Sequence, residues 1–412
     1  MGIMQSALSN DPALKDPVRI ASPAQTKTAP QRLLSIDVLR GITIAFMIMV
    51  NNNGGPGSWH FMNHAQWNGL TPTDLVFPTF LFVVGVSIVF GFEARLRKGA
   101  TRAQLAVHTV QRAVILYALG MVVNTFPFFG ISYVRFYGVL QRIAICYLVV
   151  GLFYLWDRRA STKVIALIVC LVGYWVLLRW VPVPGAGMPG RDIPFMDVRM
   201  NLVSWLDRLL MPHHLYLDGS GPDAHNVRDP EGLLSNLPAF GTALLGVLAG
   251  LWLRGQRAIK TTALGLAGAA VACLALGYLW SFEFPFNKNM WTSSFVLEAA
   301  GWSLTVLTIS YWVVEQWGWG KTHSKAMVYP WLVLGANSIT AYMFSEVVPG
   351  MLERIHFTAD GRTTNPMAWL ADNVFAHLPT PGWAAFAFSF FTLAYCFIPV
   401  WILYRKKIFV KV

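Results

Sequence analysis

The chain has 412 residues, of which 55% are hydrophobic and 13% are charged. Soluble domains carry about 25% charged residues, so this composition excludes an ordinary soluble protein and indicates one embedded in a lipid bilayer. The net charge of +12 does not indicate nucleic-acid binding, because no basic run is interleaved with aromatic side chains that could stack on bases. Positive charge also collects in the cytoplasmic loops of membrane proteins.

Apolar runs long enough to cross a bilayer as a helix recur along the chain. They lie at about residues 34–52, 75–93, 109–126, 138–156, 163–181, 233–253, 261–281, 292–316, 327–349 and 382–404. Backbone groups cannot remain unpaired in lipid, and the alternating pattern of a membrane β-barrel is absent. We therefore predict an all-α polytopic membrane protein with a bundle of about ten transmembrane helices.

The first 31 residues are polar and contain no apolar core of the kind that marks a signal peptide. We expect residues 1–31 to form a disordered cytoplasmic tail, followed by one transmembrane domain over residues 32–412. With the N-terminus inside, lysine and arginine concentrate in the cytoplasmic loops, which places the C-terminus inside as well. In a bacterial inner membrane, the loop after the first helix would then face the periplasm.

Two loops on that outer side are long, at about residues 182–232 and 350–381. Within the first, residues 196–211 carry apolar and polar side chains on opposite faces at helical spacing. This pattern predicts a helix that lies on the membrane surface. Its apolar face would contain Val198, Leu202, Trp205, Leu206, Leu209 and Leu210, and its polar face Asp197, Arg199, Asn201, Asp207 and Arg208.

Cysteine usage indicates neither a disulfide framework nor a metal site. Each of the four cysteines, Cys146, Cys170, Cys273 and Cys396, lies within an apolar run, and none forms a CxxC pair. We expect them to be small buried core residues. No spacing typical of a metalloenzyme occurs elsewhere in the chain, so no metal is predicted.

Residues 51–80, between the first two predicted helices, are unusually rich in hydrogen-bonding side chains. A simple connector has no need of them, so we predict that this stretch is the active site. His64 precedes a turn signal containing Trp67 and Asn68, which we expect to contact the substrate. Asp74 follows, and could fix the His64 tautomer for general-base catalysis. Alternatively, His64 bonds to a turn and Asp74 caps the next helix.

Three consecutive asparagines, Asn51, Asn52 and Asn53, end the first predicted helix just before a pair of glycines. They could form an ordinary helix C-cap, with a glycine in the left-handed conformation. They could instead aim amide donors at an oxyanion, with the glycines allowing close approach.

Other polar residues fall toward the outer side of the predicted bundle. Because buried charge in a membrane is costly and usually functional, we expect these residues to line one cavity with His64 and to bind the substrate. The alternative is that they pair with one another or cap helix ends. They are Gln141, Arg142, Asp229, Glu231, Lys288, Asn289 and Glu346.

Several long segments together resemble the membrane acetyltransferases typified by lysosomal heparan-α-glucosaminide N-acetyltransferase and their bacterial relatives. The matching segments are RLLSIDVLRGITIAFMIMVNN, HAQWNGLTPTDLVFPTFLFVVG, GVLQRIAICY, DPEGLLSNLPAFGTALLGVLAG, PFNKNMWTSSFVL and GANSITAYMFSEV. They run in the same order, from about residue 32 to the C-terminus. The resemblance implies a bundle of ten membrane helices. It also implies transfer of acetyl from cytosolic acetyl-CoA to the amino group of a terminal glucosamine on the far side.

The resemblance also assigns roles to individual residues. His64 matches the functional histidine of the family and Asn51 matches its active-site asparagine, although Asn52 or Asn53 could replace Asn51. Coenzyme A carries phosphates, so we expect a basic entrance, where each candidate could also be ordinary positive-inside charge. The candidates are Arg40, Arg95, Lys98 and Arg102. A homodimer is compatible with the family, but the residues indicate no interface.

Two mechanisms and two further functions remain open. His64 could act as a general base, or it could attack first and form an acetyl-imidazole. The acceptor could carry a hydroxyl instead of an amine. The protein could also be an inner-membrane transporter of N-acetylglucosamine or a related amino sugar. A helix broken at mid-membrane would favour the transporter. The glycine and proline breaks lie mainly near predicted helix ends, which favours the enzyme.

Overall fold

The structure is a computed structural model that describes residues 33–54, 57–126, 134–216, 226–359 and 361–410. The predicted tail of residues 1–31 lies outside the described residues. Within the described ranges, helices dominate, and the named strands form one short antiparallel hairpin of Phe357–Ala359 (β1) and Arg362–Thr364 (β2). The prediction of an all-α fold is therefore confirmed.

Helices follow one another along the chain with mostly short connections. Their bounds are α1 Leu34–Asn51, α2 Val76–Arg97, α3 Arg102–Thr125, α4 Val139–Trp156, α5 Ala160–Trp180, α6 Leu202–Leu210, α7 Asn236–Leu253, α8 Ile259–Ser281, α9 Ser293–Tyr311, α10 Lys325–Ala336, α11 Ser338–Glu353, α12 Pro366–Leu370 and α13 Pro381–Arg405. In this part of the chain, nine helical segments are long and apolar enough to cross a membrane. They correspond to nine of the predicted spans, and the chain is an integral membrane protein.

The remaining predicted span, residues 327–349, is not a single helix. It is divided into α10 and α11 at Asn337, which leaves the helical conformation with φ −128° and ψ 43°. The buried side chain of Asn337 instead holds the C-terminal segment, because its Nδ2 donates to Ile408 O at 3.2 Å and its Oδ1 accepts from Val410 N at 2.8 Å. This division at an asparagine lies within the predicted span, whereas the glycine and proline breaks were expected mainly near helix ends. A short polar side chain can compete with the helix for backbone partners.

Burial separates central from peripheral helices. In α1, α2, α4, α7 and α9, between 56% and 72% of the residues in the most apolar stretch of the helix are buried. The corresponding share in α3, α5, α8 and α13 is 22–28%. The exposed side chains of the peripheral helices are largely apolar, as a lipid environment requires. The four cysteines are buried thiols, as predicted.

Glycines allow the central helices to approach closely. A Cβ placed on Gly246 of α7 would lie 2.0 Å from the carbonyl oxygen of Phe82 in α2, and one on Gly85 would lie 2.0 Å from the Ala243 oxygen. Such contacts between small residues drive helix association in membranes through backbone packing. The α2–α7 contact therefore fixes the position of α2, whose N-terminal end carries the candidate site.

The long loop of residues 182–232 differs from its prediction. Its helix, α6, covers only Leu202–Leu210, because the side chain of Asn201 caps it by accepting from Ser204 N at 2.8 Å. The predicted polar face is wrong for Asp207, which is fully buried and accepts from Leu233 N at 2.9 Å, whereas Leu209 and Leu210 are exposed. Leu233, just before α7, makes this contact with Asp207 on the buried side of α6.

Candidate active site

His64 and Asp74 meet in the loop between α1 and α2. The Nδ1 atom of His64 lies 2.7 Å from Oδ1 of Asp74. The other carboxylate oxygen accepts from the backbone N–H groups of Ala65 at 3.2 Å and Thr71 at 3.0 Å. The Asp74 side chain is 1% exposed and that of His64 is 46% exposed. A buried carboxylate thus holds an accessible imidazole.

Local sequence explains why the loop adopts this shape. Thr71 and Asp74 form a capping box around a single helical turn, Pro72–Leu75, which begins with proline and leads into α2. Gly69 has a φ of +133°, which favours glycine, and its N–H donates to Phe286 O at 2.9 Å. Both sequence-based alternatives for Asp74 are therefore realised at once: one oxygen caps the turn and the other contacts His64.

These contacts define the tautomer of His64. An ionised carboxylate only accepts hydrogen bonds, so the short contact requires Nδ1 of His64 to carry the proton. The lone pair then resides on Nε2, the nitrogen that could accept a proton or attack an electrophile. This arrangement can support acid–base or nucleophilic chemistry at the protein surface.

Lys288 lies against the same imidazole. Its Nζ atom is 3.0 Å from Nε2 and 3.2 Å from Nδ1 of His64. Burial lowers the pKa of the Lys288 ammonium, while Glu231 and Asp74 oppose that shift. Lys288 was predicted to line one cavity with His64, and the structure brings the two side chains into direct contact.

The turn that carries Lys288 is held by its neighbour Asn287, which sequence reasoning missed. The side chain of Asn287 accepts from Met290 N at 2.8 Å and donates to Oδ1 of Asn68 at 3.1 Å. An asparagine side chain that closes its own turn is typical of such a segment. The bond to Asn68 also joins this turn to the His64 loop. The motif NKN before α9 was the available signal.

The three asparagines after α1 have different partners. Asn51 Nδ2 donates to Oε1 of Glu346 in α11 at 3.0 Å. Asn52 donates to Ile48 O at 3.0 Å, as an ordinary helix-end bond, and Asn53 donates to Oδ1 of Asn63 at 3.1 Å. Asn51 is thus bonded to another predicted site residue.

A cluster of opposite charges lies beside Lys288. Arg135 donates to both carboxylate oxygens of Asp229, at 2.8 and 2.6 Å, and also to Glu231. Burial would raise the pKa of the Glu231 carboxyl, but Arg135, Arg142 and Lys288 together lower it. Arg135 is not among the site residues predicted from the sequence. Its isolation on the side poor in basic residues could have marked it as an ion-pair partner.

Tyr342 links this cluster to Asn51. Its buried side chain in α11 lies close enough to Glu346 and Glu231 for both carboxyl groups to act on it electrostatically. Glu346 holds Asn51, and Glu231 interacts with Lys288. The predicted residues on these three segments therefore form one connected polar neighbourhood, although His64 and Asn51 contact different partners.

Other predicted site residues serve the framework around it. Arg142 is 1% exposed, stacks on Trp291 at 4.7 Å and donates to Ser235, while Gln141 packs against Gly120 between α3 and α4. Trp67 and Asn289 both contact Arg228: the guanidinium lies 5.1 Å from the Trp67 ring and donates to Asn289 at 3.0 Å.

The basic residues predicted to form a coenzyme A entrance lie near the ends of α1 and α2 that are distant from His64. Arg40 is engaged within the bundle, donating to Ser87 Oγ at 2.8 Å and Gly335 O at 3.3 Å. Lys98 and Arg102 are exposed and Arg95 is partly exposed. Along α2, the 21 residues from Asp74 to Arg95 span about 30 Å. These groups therefore do not belong to the His64 neighbourhood.

A further ionic cluster at that far end escaped the sequence analysis. Glu93 of α2 pairs with Arg254 at 2.8 Å and with Arg158, and accepts from the Tyr154 hydroxyl at 3.1 Å. It joins the ends of α2, α4 and α7. A carboxylate inside a predicted span was the signal that could have revealed it.

Comparison with known proteins gives consistent matches. A family model described as heparan-alpha-glucosaminide N-acetyltransferase, catalytic, matches residues 32–188. The chain is 31% identical to heparan-alpha-glucosaminide N-acetyltransferase of Homo sapiens, over 93% of this chain and 60% of the human protein. It is 29% identical to the Mus musculus protein of the same name, over 97% of this chain and 64% of the mouse protein.

The chain thus spans less than two thirds of the length of these curated relatives. The matched catalytic region contains His64, Asp74 and Asn51, and the alignments continue through the segments that carry Lys288 and Glu346. The resemblance to the heparan-α-glucosaminide N-acetyltransferase family that was inferred from the sequence is confirmed.

Proposed function

We propose that this protein is a transmembrane N-acetyltransferase. It would move acetyl from cytosolic acetyl-CoA to the amino group of a glucosamine-type sugar on the periplasmic or lumenal side. The observation that carries this proposal is the accessible imidazole of His64, with Nδ1 held by buried Asp74 and Nε2 beside Lys288. The names of the human and mouse relatives support the reaction class.

In the direct mechanism, the acceptor amine attacks the thioester carbonyl. Nε2 of His64 takes the proton that the amine loses, the C–S bond breaks, and the coenzyme A thiolate leaves. The positive imidazolium that forms is stabilised by the Asp74 carboxylate on Nδ1. Asp74 thus needs no movement during the reaction, because backbone N–H groups already fix it.

In the two-step mechanism, Nε2 attacks the thioester carbon and the coenzyme A thiolate leaves. This step forms an acetyl-imidazole, which the amine then attacks to release His64. The two-step route suits a reaction whose donor and acceptor lie on different sides of the membrane, because they need not meet. Both routes use the same Asp74–His64 pair.

The developing oxyanion requires donors close to Nε2. Lys288 is within reach of that atom, and we assign the oxyanion-stabilising role to its ammonium. Asn51, bonded to Glu346, would supply a second donor through the remaining hydrogen of its amide. When the substrate displaces the Lys288 ammonium from His64, Glu231 would attract that ammonium electrostatically.

The direct test supplies labelled acetyl-CoA and glucosamine to purified protein in detergent, and compares wild type with His64→Ala. Label on glucosamine with wild type but not with the variant is the expected result. Equal transfer by both proteins would remove His64 from the chemistry. Rapid quenching without acceptor distinguishes the routes, because only the two-step mechanism leaves labelled acetyl on the protein.

A second function, transport of N-acetylglucosamine or a related amino sugar, is favoured by one observation. The division of the predicted span at Asn337 is a discontinuous membrane helix, and such helices often form transporter binding sites. Uptake of labelled sugar into proteoliposomes without acetyl-CoA tests it. A transporter would accumulate sugar under these conditions, whereas the proposed enzyme would not.

A further inference from the structure

An apolar cavity lies between helices far from His64. Its volume is about 420 Å³, and it is lined by α5, α7, α8 and α9. The lining is aliphatic over most of its surface, through residues such as Leu245, Leu248, Leu266 and Leu304. No side chain proposed above for the acetyl-transfer site contributes to it. The cavity therefore needs an explanation of its own.

The cavity exists because consecutive helices diverge. The connection between α7 and α8 covers only residues 254–258, but α8 packs closely on α9, where a Cβ on Gly301 would lie 2.6 Å from Leu274. The space left between α7 and α8 is bordered partly by small side chains, because Ala249 and Ala269 face it. α8 has exposed apolar side chains, and Leu245 and Leu248 of α7 are partly exposed. An opening in such a surface is accessible to lipid chains.

One basic side chain lies at the rim of this apolar space. The guanidinium of Arg257 stacks on Trp252 at 3.8 Å and donates to the Trp252 carbonyl at 2.9 Å. The Trp252 indole in turn donates to Thr262 O at 3.1 Å and lies against Gly265. A tryptophan–arginine pair thus occupies the point where the chain leaves one helix and enters the next. Arg257 is itself exposed and can present donors outward.

We propose that this cavity is a binding site for an anionic phospholipid. One acyl chain would fill the aliphatic space, and the phosphate would contact the Arg257 guanidinium. Charge complementarity favours this occupant, because the exposed Arg257 guanidinium places a positive charge at the rim of a largely aliphatic cavity. Basic pockets between membrane helices recognise anionic head groups in this way. A substrate as polar as coenzyme A does not match an aliphatic lining.

Native mass spectrometry of the delipidated protein tests the proposal. We expect wild type to bind phosphatidylglycerol more tightly than phosphatidylcholine with the same chains. Arg257→Gln should reduce that preference about fivefold, as expected for one basic residue near an anionic head group. The matched control is Lys260→Gln, which removes an exposed charge in the first turn of α8, outside the cavity, and should retain most of the preference.

A second pair of variants tests the chain site. Ala269→Phe fills the cavity and should abolish the retained lipid, whereas Ala275→Phe adds the same ring to an exposed position of α8 outside it. Inorganic phosphate should not displace the lipid. Equal binding of both lipids by wild type, or unchanged retention in Ala269→Phe, would overturn the proposal. Neither result depends on acetyltransferase activity, so this test is independent of the proposed function.

Discussion

The ammonium of Lys288 lies 3.0 Å from Nε2 of His64, so the two side chains are in direct contact although they are 224 residues apart in the chain. Asp74 holds the opposite nitrogen of the same ring. The imidazole of His64 is therefore placed between an anion and a cation. The cation is close to the nitrogen where the new bond or proton would form, which gives Lys288 a testable role.

Replacing Lys288 with methionine keeps the length of the side chain and removes its charge. We expect kcat for acetyl transfer to fall about a hundredfold or more, the loss typical of one oxyanion donor. KM for acetyl-CoA should change less, because the donor acts mainly in the transition state. Steady-state kinetics with labelled acetyl-CoA measures both constants.

The control for this change is Lys288→Arg, which keeps a cation and should retain part of the activity. Thermal unfolding in detergent checks that both variants are folded. If the methionine variant had the same kcat as the wild type, Lys288 would take no part in the chemistry.

Asp74→Asn should inactivate the protein through the tautomer of His64. An asparagine amide can donate to Nδ1, which moves the imidazole proton to Nε2 and removes its lone pair. By analogy with carboxylate–histidine pairs in hydrolases, we expect kcat to fall about a thousandfold or more. The nitrogen chemical shifts of His64 in labelled protein would report the exchange of tautomers directly.

Asp74 also caps a helical turn, so stability must be separated from chemistry. Thr101→Ala removes a comparable capping box at the start of α3, at a cost of about 1 kcal/mol. It should lower the Tm without affecting kcat. If both variants lost activity in proportion to Tm, the effect of Asp74→Asn would be structural.

Glu346 should act through Asn51, which it holds at 3.0 Å. Glu346→Leu removes the acceptor, and we expect kcat to fall about tenfold or more, the value of a hydrogen bond to a charged group. Glu346→Gln retains an acceptor oxygen and should keep most of the activity. Glu353→Leu, at the exposed end of the same helix, is the matched control. Equal losses in the leucine and glutamine variants would contradict a positioning role.

Asp207 should make stability depend on pH. Burial raises the pKa of its carboxyl to about 7, and Asp229 adds to the shift. The folded state therefore binds a proton more tightly than the unfolded state does. The resulting stabilisation is fully present below the usual pKa of an aspartate and is lost as the pH rises through about 7. Wild-type Tm should accordingly fall between pH 5 and pH 8.

Asp207→Asn removes this titration and keeps an acceptor for the Leu233 N–H group. Its Tm should change less between the two pH values, and at pH 8 it should exceed that of the wild type. Differential scanning fluorimetry in detergent at both pH values provides the comparison. A pH dependence identical to that of the wild type would show that another group titrates.

Gly246→Ala should loosen the contact between α2 and α7. The added Cβ would lie 2.0 Å from the Phe82 backbone oxygen, so the helices must separate. We expect a lower Tm and, because Asp74 lies in the turn that leads into α2, reduced activity. Gly173→Ala is the matched control, since nothing lies within 4 Å of its added Cβ. There, alanine should stabilise the helix by up to about 1 kcal/mol. Similar Tm values for both variants would contradict tight packing at Gly246.

Much of this protein follows from its amino-acid sequence alone. Runs of apolar residues determine where membrane helices form, because every backbone polar group must be bonded within the helix when lipid surrounds it. The ends of these apolar runs agree with the ends of the described helices to within a few residues at most positions, as in α4 and α13. Proximity in sequence was also sufficient to pair His64 with Asp74 as a candidate contact, because only one short loop separates them.

Tertiary structure decided the contacts between distant segments. Lys288 on His64, Glu346 on Asn51 and Arg135 on Asp229 depend on how helices pack, which apolar periodicity does not specify. The division of α10 from α11 likewise depends on Asn337 finding backbone partners at residues 408 and 410. Asp207 is buried where it accepts from Leu233 N, a contact between two distant parts of the chain. In each case the energy of a polar group is set by partners brought from elsewhere in the chain, so local sequence could name these groups but not pair them.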